Sequence, residues 1–299
     1  MASPAIEAEG LTYDFGGGKG VFGLSFSVGE GEVLGWLGPN GAGKTTTMRL
    51  LTGLVRPQQG AARLLGLDCW RQQPSAHRAL GYLPGEIGLP EAASGRAVLD
   101  LLAAMRGLRD RAYERALVDR FELDLGAPPQ HLSKGNRQKL GLVAALQHDP
   151  PVLLLDEPTS GFDPLMQERF VEWLLAEKRR GKAILLSSHQ FPEVERTADR
   201  IAVLREGRIA ALRETTFLSE RSRHTYLLRF GNDADAAQFG RGYPGARVRG
   251  STAELEAEGS LNPLVTALQG LDLLGLQERH QGLEDAFLQI YAPEGGQRT

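Results

Sequence analysis

The segment from residue 32 to residue 51 limits the possible folds more than any other part of the chain. Residues 32–37 form an apolar run typical of a buried strand, and the pattern over Lys44–Leu51 predicts a helix. Glycines let successive backbone N–H groups approach phosphate oxygens closely, and a helix N-terminus adds partial positive charge. A cradle for nucleotide phosphates is therefore predicted at the turn between them, Gly38-Pro39-Asn40-Gly41-Ala42-Gly43-Lys44-Thr45-Thr46, which matches G-x-x-x-x-G-K-[ST].

Two side chains of this cradle have predicted roles. Lys44 is expected to reach the β- and γ-phosphates of the nucleotide, and the hydroxyl of Thr45 is expected to ligate Mg²⁺. The alternative interpretation is a glycine-rich surface turn followed by an exposed lysine. A strand directly before the motif and a helix directly after it favour the nucleotide cradle.

A pair of acids follows the apolar run at residues 152–155, where Asp156 and Glu157 stand next to each other. Acids at the carboxyl end of a buried strand lie where ligands bind in open α/β sheets. Asp156 is suited to hold Mg²⁺, and Glu157 is a candidate general base for an attacking water. Adjacent acids are also common in solvated turns, but the cradle upstream favours the catalytic interpretation.

The order of predicted elements indicates an α/β fold. After Pro150, strand and helix patterns alternate, which predicts a mostly parallel core sheet with strands buried on both faces. The stretch of about residues 86–150 is mostly helical and is interpreted as an inserted subdomain. One of its helices is predicted to begin at the N-cap Ser94 and to carry, at helical spacing, Val98, Leu101, Leu102 and Met105.

The pattern loosens between residues 215 and 223, which predicts a boundary between a domain of residues 1–215 and a small accessory α+β domain of residues 216–299. In the accessory domain we expect a strand with Tyr226, Leu228 and Phe230 on one face, and a helix opening at Asn262-Pro263 with Leu264, Val265 and Leu268. A last amphipathic helix would carry Leu283, Ala286, Phe287, Ile290 and Tyr291 on one stripe. The domain has no chemical signature, and both a role in stabilising or modulating a dimer and an inert packing role stay open.

Composition excludes several classes of protein. The net charge of −3 argues against a nucleic-acid binder, which usually has a basic stripe. A single cysteine, Cys69, excludes an intramolecular disulfide framework and fits a reduced, cytosolic compartment. The amino-terminal residues have neither the basic nor the apolar region of a secretory signal, and the apolar runs are far shorter than the ~18 residues that span a bilayer. We therefore expect any membrane part to belong to another chain.

The remaining motifs resemble those of the ABC transporter ATP-binding subunits. Leu132-Ser133-Lys134-Gly135-Asn136 is similar to the family signature L-S-G-G-Q, and it precedes Asp156 by the interval usual in the family. The run from Asp156 to Pro164, DEPTSGFDP, resembles the family's Walker B motif and D-loop, and Ser187-Ser188-His189 resembles its switch histidine. The resemblance covers roughly residues 5–215. It implies an ATPase with a P-loop fold, a mostly parallel core sheet and an antiparallel amino-terminal β part.

The resemblance also implies roles for individual residues. Ser133 and Gly135 would contact the γ-phosphate of ATP held by a partner subunit, so that two nucleotides lie in a head-to-tail homodimer. His189 would hydrogen-bond the γ-phosphate, and Phe15 matches the aromatic residue that stacks on adenine. Asp163 would carry information between the two sites. A histidine after a strand is, without such context, more often a structural polar residue.

Two departures from the family pattern concern the signature and the Q-loop. Lys134 and Asn136 replace the usual glycine and glutamine of the signature, while the serine and second glycine remain. In the Q-loop, Gly85 stands where glutamine is expected, and the adjacent Glu86 is the carboxylate that could replace it as a metal ligand.

The segments GYLPGE and LSKGNRQK and the tail ending LEDAFLQIY are similar to ATPase subunits of bacterial ABC-2-type exporters, including drug-efflux systems. This resemblance implies a peripheral, cytoplasmic subunit on the inner face of the membrane that drives export through a separate permease. One alternative is a soluble ABC ATPase acting on ribosomes or DNA, which usually has two cassettes or a long coiled coil. Another is a regulatory dimerisation module that ATP only switches.

Overall fold

The computed structural model describes residues 3–215, 224–257 and 261–280, and the chain divides into two compact units, Met1–Thr215 and Thr216–Thr299. The strands of the first unit are β1 (Ile6–Asp14), β2 (Gly20–Val28), β3 (Val33–Leu37), β4 (Gln59–Leu64), β5 (Leu67–Asp68), β6 (Leu80–Leu83), β7 (Val152–Asp156), β8 (Ala183–Ser187), β9 (Arg200–Arg205) and β10 (Arg208–Glu214). Its helices are α1 (Lys44–Leu51), α2 (Gln73–Arg78), α3 (Gly95–Arg106), α4 (Ala112–Arg120), α5 (Lys134–Leu146), α6 (Pro164–Arg179) and α7 (Phe191–Thr197). None of the described helices combines the length and apolar character that a membrane crossing needs.

The core sheet of the first unit has the strand order β10-β9-β3-β8-β7-β6 within the described residues. The pairs β9–β3, β3–β8, β8–β7 and β7–β6 are parallel, and only β10 runs antiparallel to its neighbour β9. Every residue of β3, β7 and β8 is buried, as expected for strands covered by structure on both faces. The prediction of a mostly parallel α/β core is confirmed, and it places the carboxyl ends of β3, β7 and β8 side by side.

A second sheet, with the order β2-β1-β4-β5, contains the amino-terminal strands, and its neighbouring strands pair antiparallel. Its apolar face packs onto the core sheet, where the rings of Phe26 and Trp36 lie 4.4 Å apart between centroids. Burial of such large aromatic side chains supplies much of the hydrophobic stabilisation of a core. The expected antiparallel amino-terminal β part is therefore present.

The helices α3, α4 and α5 form the region interpreted from the sequence as an inserted subdomain. Ser94 is the N-cap of α3, as predicted, and its hydroxyl accepts a hydrogen bond from the Ala97 N–H. The predicted apolar stripe of α3 was partly wrong. The helix buries Val98, Leu99 and Ala103, whereas Leu101 and Met105 are 47% and 74% exposed, because the face toward α5 is rotated from the one that the spacing suggested.

The second unit has the element order β11 (His224–Phe230), α8 (Asp233–Gly242), β12 (Arg247–Arg249), β13 (Thr252–Ala257), α9 (Asn262–Ala267) and β14 (Leu273–His280). Its antiparallel sheet has the order β12-β13-β11-β14, so the part of this unit that the structure describes has the β-α-β-β-α-β pattern of ferredoxin-like domains.

The buried face of β11 carries Tyr226, Leu228 and Phe230, as predicted. On α9 the prediction was correct for Leu264, which is buried, and wrong for Val265, which is exposed because it lies on the face away from the sheet. Leu268 follows the last turn of α9 and packs against the core of this unit from a partly buried position. The predicted helix with Leu283 to Tyr291 lies outside the described residues, and so does most of the predicted boundary segment.

Candidate functional site

The turn from Gly38 to Gly43 joins β3 to α1, and its shape depends on glycine. Gly41 and Gly43 have φ angles of 83° and 106°, in the left-handed region that L side chains rarely adopt. A Cβ atom at Gly43 would lie 2.7 Å from a methyl carbon of Val21, and one at Gly38 would lie 2.9 Å from the Cβ of Ala42. Since the backbone passes too close to its neighbours for any side chain, these glycines hold the loop in the conformation of a phosphate cradle.

A cavity of about 660 Å³ opens at this turn, within the range of ligand pockets. It unites residues of the cradle with the aromatic side chain and both acids that the sequence singled out. Three further residues line the cavity: Lys19 and Gly20, which belong to no motif, and Gly85 of the Q-loop. The complete lining consists of Phe15, Lys19, Gly20, Pro39, Asn40, Gly41, Gly43, Lys44, Thr45, Thr46, Gly85, Asp156 and Glu157. Gly38 and Ala42 also belong to the loop, but they are buried and do not line the cavity.

Asp156 ends β7 and is held from two sides. The Thr45 hydroxyl donates a hydrogen bond to Asp156 Oδ2 at 2.8 Å, and the Ser187 hydroxyl donates to Asp156 Oδ1 at 2.7 Å. Neighbouring ligands of an octahedral Mg²⁺ ion are about 2.9 Å apart, and the ion prefers oxygen donors. The hydroxyl of Thr45 and the carboxylate of Asp156 therefore fit the metal site predicted from the sequence.

The Lys44 ammonium group lies at the mouth of the cradle. Its Nζ donates hydrogen bonds to the backbone oxygens of Gly38 at 2.7 Å and Pro39 at 3.4 Å, and it lies 3.9 Å from Glu157 Oε1. The side chain itself is buried, so its charge faces the cavity and the acids with little screening by water. Lys44 thus supplies a fixed positive charge beside the phosphate cradle.

Glu157 is held in an unusual backbone conformation. Its φ angle is 52°, which is uncommon for a residue with a side chain. Its N–H donates to the Ser187 oxygen at 2.9 Å, and the buried Gln138 amide donates to the backbone oxygens of Glu157 at 3.0 Å and Pro158 at 3.1 Å. The conformation turns the Glu157 side chain away from Asp156 and into the cavity. Gln138 was not identified from the sequence, since nothing in its local pattern distinguishes it from other helical glutamines.

His189 follows β8 by two residues and contacts the same carboxylate. Its Nδ1 hydrogen-bonds with Glu157 Oε2, and its backbone N–H donates to that oxygen at 3.3 Å. The imidazole is otherwise largely exposed. Glu157 therefore lies between a cation, Lys44, and an imidazole, and these two contacts fix the direction of its carboxylate.

Phe15 is exposed at the rim of the cavity, where its ring packs edge-on against Tyr13 with 4.7 Å between centroids. An exposed ring beside a phosphate cradle presents a flat apolar face on which a base can stack. Of the two aromatic residues, Phe15 alone belongs to the cavity lining given above, as expected from the sequence.

Five other predicted residues lie outside the cavity of their own chain. Ser133 is the exposed N-cap of α5, where its hydroxyl accepts from the Asn136 N–H at 3.2 Å. Asp163 is the exposed N-cap of α6 and accepts from the Met166 N–H at 2.9 Å. Gly135 packs on the turn before α6, since a Cβ atom there would lie 2.6 Å from the Gly161 oxygen. His189 contacts Glu157 but does not line the cavity itself. The fifth of these residues is Glu86.

Glu86 is exposed, whereas its neighbour Gly85 borders the cavity. A Cβ atom at Gly85 would lie 3.3 Å from Asp156 Oδ2, so the backbone passes close to the Asp156 carboxylate without a side chain between them. The expectation that Glu86 replaces the missing glutamine finds no support in this placement.

The features of this cavity define a class of protein. A glycine cradle between a strand and a helix, with a hydroxyl, a lysine and two strand-end acids around one cavity, is the site of a P-loop nucleoside triphosphatase. The family model described as "ABC transporter" matches residues 21–160 of the chain. The Nod factor export ATP-binding protein I of Rhizobium sp. (strain N33) is 33% identical over 302 residues, 98% of this chain and 99% of that protein. The chain therefore belongs to the ABC transporter family, whose members are ATPases, and it is an ATP-binding subunit of that family.

Other relatives are much longer than this chain. ATP-binding cassette sub-family A member 7 of Mus musculus is 36% identical over 236 residues, and the matched part is 76% of this chain but only 11% of that protein. The chain thus spans about a tenth of the length of this relative.

Two solved structures have the same fold. The "Structure of ATP binding subunit of ABC transporter" aligns with a TM-score of 0.67 and 32% identity over 72% of this chain and 91% of that chain. The "Dimeric Structure of MJ0796, a Bacterial ABC Transporter Cassette" aligns with a TM-score of 0.63 and 20% identity over 70% of this chain and 98% of that chain. The second likeness concerns the fold alone.

Proposed function

We propose that this chain hydrolyses ATP as a head-to-tail homodimer and thereby drives export through a separate membrane permease. The observation that supports the hydrolytic part is the meeting of the cradle and the strand-end acids, with Thr45 Oγ1 and Asp156 Oδ2 only 2.8 Å apart. The two segments are separated by about a hundred residues in sequence, and the parallel sheet joins them at one edge.

In the proposed reaction, the backbone N–H groups of residues 38–46 and the Lys44 ammonium bind the phosphate oxygens of ATP. Phe15 stacks on the adenine ring. Glu157 accepts a proton from the water that attacks the γ-phosphorus, and His189 holds the Glu157 carboxylate in the required direction. Thr45 and Asp156 would hold Mg²⁺, which neutralises charge on the β- and γ-phosphates when it is bound.

The signature residues support a second copy of the chain in the complete site. Ser133 and Gly135 lie at the start of α5, where the helix N-terminus favours an anion, yet they are not part of the cavity of their own chain. A head-to-tail partner would bring its own signature to this cavity and receive the other one in return. In this proposal Asp163, on the exposed turn before α6, connects the two sites.

The direction of transport and the permease are inferred from the relatives and the surface. A relative named for Nod factor export aligns over nearly the whole chain. Leu101 and Met105 of α3 expose apolar surface on the helical region, and we propose that a permease contacts the chain through this region. The subunit would then work at the cytoplasmic face of the membrane, and a net charge of −3 disfavours nucleic acid as its partner.

The dimer is tested by its dependence on ATP. A Glu157→Gln protein, which we expect to bind ATP without hydrolysing it, should shift from monomer to dimer mass in light scattering when ATP and Mg²⁺ are added. Adding Ser133→Arg should keep the Glu157→Gln protein monomeric. The long arginine side chain would occupy the space that the γ-phosphate of the partner subunit's ATP needs. A dimer that forms equally without ATP, or with the Ser133→Arg change, argues against the sandwich.

The membrane partner is tested by affinity purification from detergent-solubilised cells of the source. A polytopic membrane protein should accompany the chain in stoichiometric amount, and Leu101→Glu combined with Met105→Glu should reduce its recovery several-fold. The matched control places the same change, Leu165→Glu, on exposed apolar surface of α6. Recovery of ribosomes or DNA instead would favour a soluble ABC ATPase.

A further inference from the structure

A carboxylate that the proposed reaction does not use lies directly behind the catalytic loops. Glu193 is on α7, and its side chain is only 7% exposed. Its Oε2 accepts hydrogen bonds from the Ser188 hydroxyl at 2.6 Å and the Thr159 hydroxyl at 3.2 Å. Both hydroxyls are buried as well, so water competes little with these hydrogen bonds.

The two hydroxyls belong to the two loops that carry the candidate catalytic side chains. Thr159 comes two residues after Glu157 at the end of β7, and Ser188 comes directly before His189 at the end of β8. The strands β7 and β8 are hydrogen-bonded up to the pair Asp156 and Ser187. Beyond that pair, the Glu193 carboxylate continues the connection between the two loops through their side chains.

The carboxylate is itself held in place. The Glu193 backbone oxygen accepts from the Thr197 hydroxyl at 2.7 Å, and the next residue, Val194, is completely buried against the core. The Ser188 hydroxyl makes two hydrogen bonds, because it donates to Glu193 and also accepts from the Gln190 N–H at 3.0 Å. The position of Ser188 is therefore determined by α7 and by the turn that leads into it.

The buried carboxyl group of Glu193 does not serve to stabilise the fold. The pKa of Glu193 is raised to about 7, mainly because the group is buried and also because Glu157 is near, whereas the hydrogen bonds from Ser188 and Thr159 and the nearby His189 act to lower it. Its second oxygen, Oε1, is buried and has no hydrogen-bond partner among the described residues. A buried carboxyl group with an unpaired oxygen destabilises a fold, and an apolar residue would fill the same space without that penalty.

We propose that Glu193 is a positioning residue for ATP hydrolysis: by binding Ser188 and Thr159 with one oxygen, it fixes His189 relative to Glu157. The inference rests on the proposed function, since it assigns Glu193 to the step in which Glu157 accepts the proton. Without the carboxylate, the two loops keep their strands and the direct contact between His189 and Glu157, but they lose the link through Ser188 and Thr159 that holds this contact in place. Misplacement of a reacting group by about an ångström can lower a rate about 100-fold.

The test compares steady-state ATP hydrolysis by the full chain and three variants. Glu193→Ala should lower kcat about 10- to 100-fold while KM for ATP changes less than about 2-fold, because the interaction matters in the reaction step and not in ATP binding. Glu193→Gln should stay within about 3-fold of the parental kcat, since its amide oxygen accepts the same two hydroxyls. The matched control is Glu195→Ala, a glutamate on the exposed side of the same helix, which should leave both constants unchanged.

A second route removes the donors instead of the acceptor. Ser188→Ala should lower kcat at unchanged KM, and combining it with Glu193→Ala should lower kcat no further, because both changes break one link. If Glu193→Ala fails to fold, Ser188→Ala decides alone. A parental kcat in Ser188→Ala or in folded Glu193→Ala, or a full loss in Glu193→Gln, overturns the positioning role. A parental chain that does not hydrolyse ATP overturns the proposed function itself.

Discussion

Glu157→Gln is expected to lower kcat for ATP hydrolysis at least about 100-fold while ATP still binds. A positioned general base contributes about 10²- to 10⁴-fold, and an amide of the same shape cannot accept the proton. The proposed phosphate contacts of Lys44 and the proposed metal contact of Thr45 do not need Glu157 as a proton acceptor, so affinity for ATP should stay within a few-fold of the parental value. Phosphate release measures the first quantity, and titration with a fluorescent ATP analogue measures the second.

The matched control for this variant is Glu206→Gln. Glu206 has a φ angle of 50°, nearly that of Glu157, but its side chain is 86% exposed at the turn between β9 and β10. The control therefore shows whether glutamine is tolerated in this backbone conformation. If Glu157→Gln turns over ATP at the parental rate while Glu206→Gln does the same, another group must accept the proton.

Lys44→Ala is expected to weaken ATP binding about 100-fold or more, and turnover should be lost with it. A hydrogen bond to a charged group contributes about 1.5–3 kcal/mol, and Lys44 is positioned to donate more than one to the phosphates. The change also removes the cation that lies 3.9 Å from Glu157 Oε1. The Glu157 carboxylate and the phosphates of ATP would then repel each other. Equilibrium dialysis with ATP and Mg²⁺ measures the affinity directly.

Lys178→Ala is a suitable control for Lys44→Ala. The Lys178 ammonium pairs with Asp199 at 2.5 Å and belongs to α6, outside the cavity lining. The Lys178→Ala change removes one positive charge without touching the cradle, so the affinity for ATP should stay unchanged. Retention of parental affinity in Lys44→Ala, with an unchanged thermal unfolding midpoint, would contradict the assignment of residues 38–46 as the phosphate cradle.

The parts of the site that could be predicted from the sequence are those whose geometry is local. The cradle needs glycines at fixed offsets from a lysine, and α1 begins and ends at the predicted residues. The acids follow an unbroken apolar strand, so their place at the sheet edge follows from the strand itself. In both cases a single segment of chain carries the whole signal.

Contacts between distant segments could not be predicted in this way. Gln138 and Glu193 look like ordinary helical residues in the sequence, and only the packing of α5 and α7 brings them to the loops after β7 and β8. The helix α8 and the strands β12 and β13 that follow it were missed for a more local reason. Asp233–Gly242 has many polar residues, and its short buried stripe, Ala236 and Phe239, is too brief to give a clear period.

The contact between Gly135 and Gly161 has a mechanical consequence. Side chains absorb small displacements by changing rotamer, but here one backbone touches another, with room for less than a single carbon atom between them. A displacement at the start of α5 would therefore meet the turn that leads into α6 directly, with no side chain between them to absorb it. The signature at the start of α5 and the loop that carries Asp163 are therefore coupled through direct backbone contact.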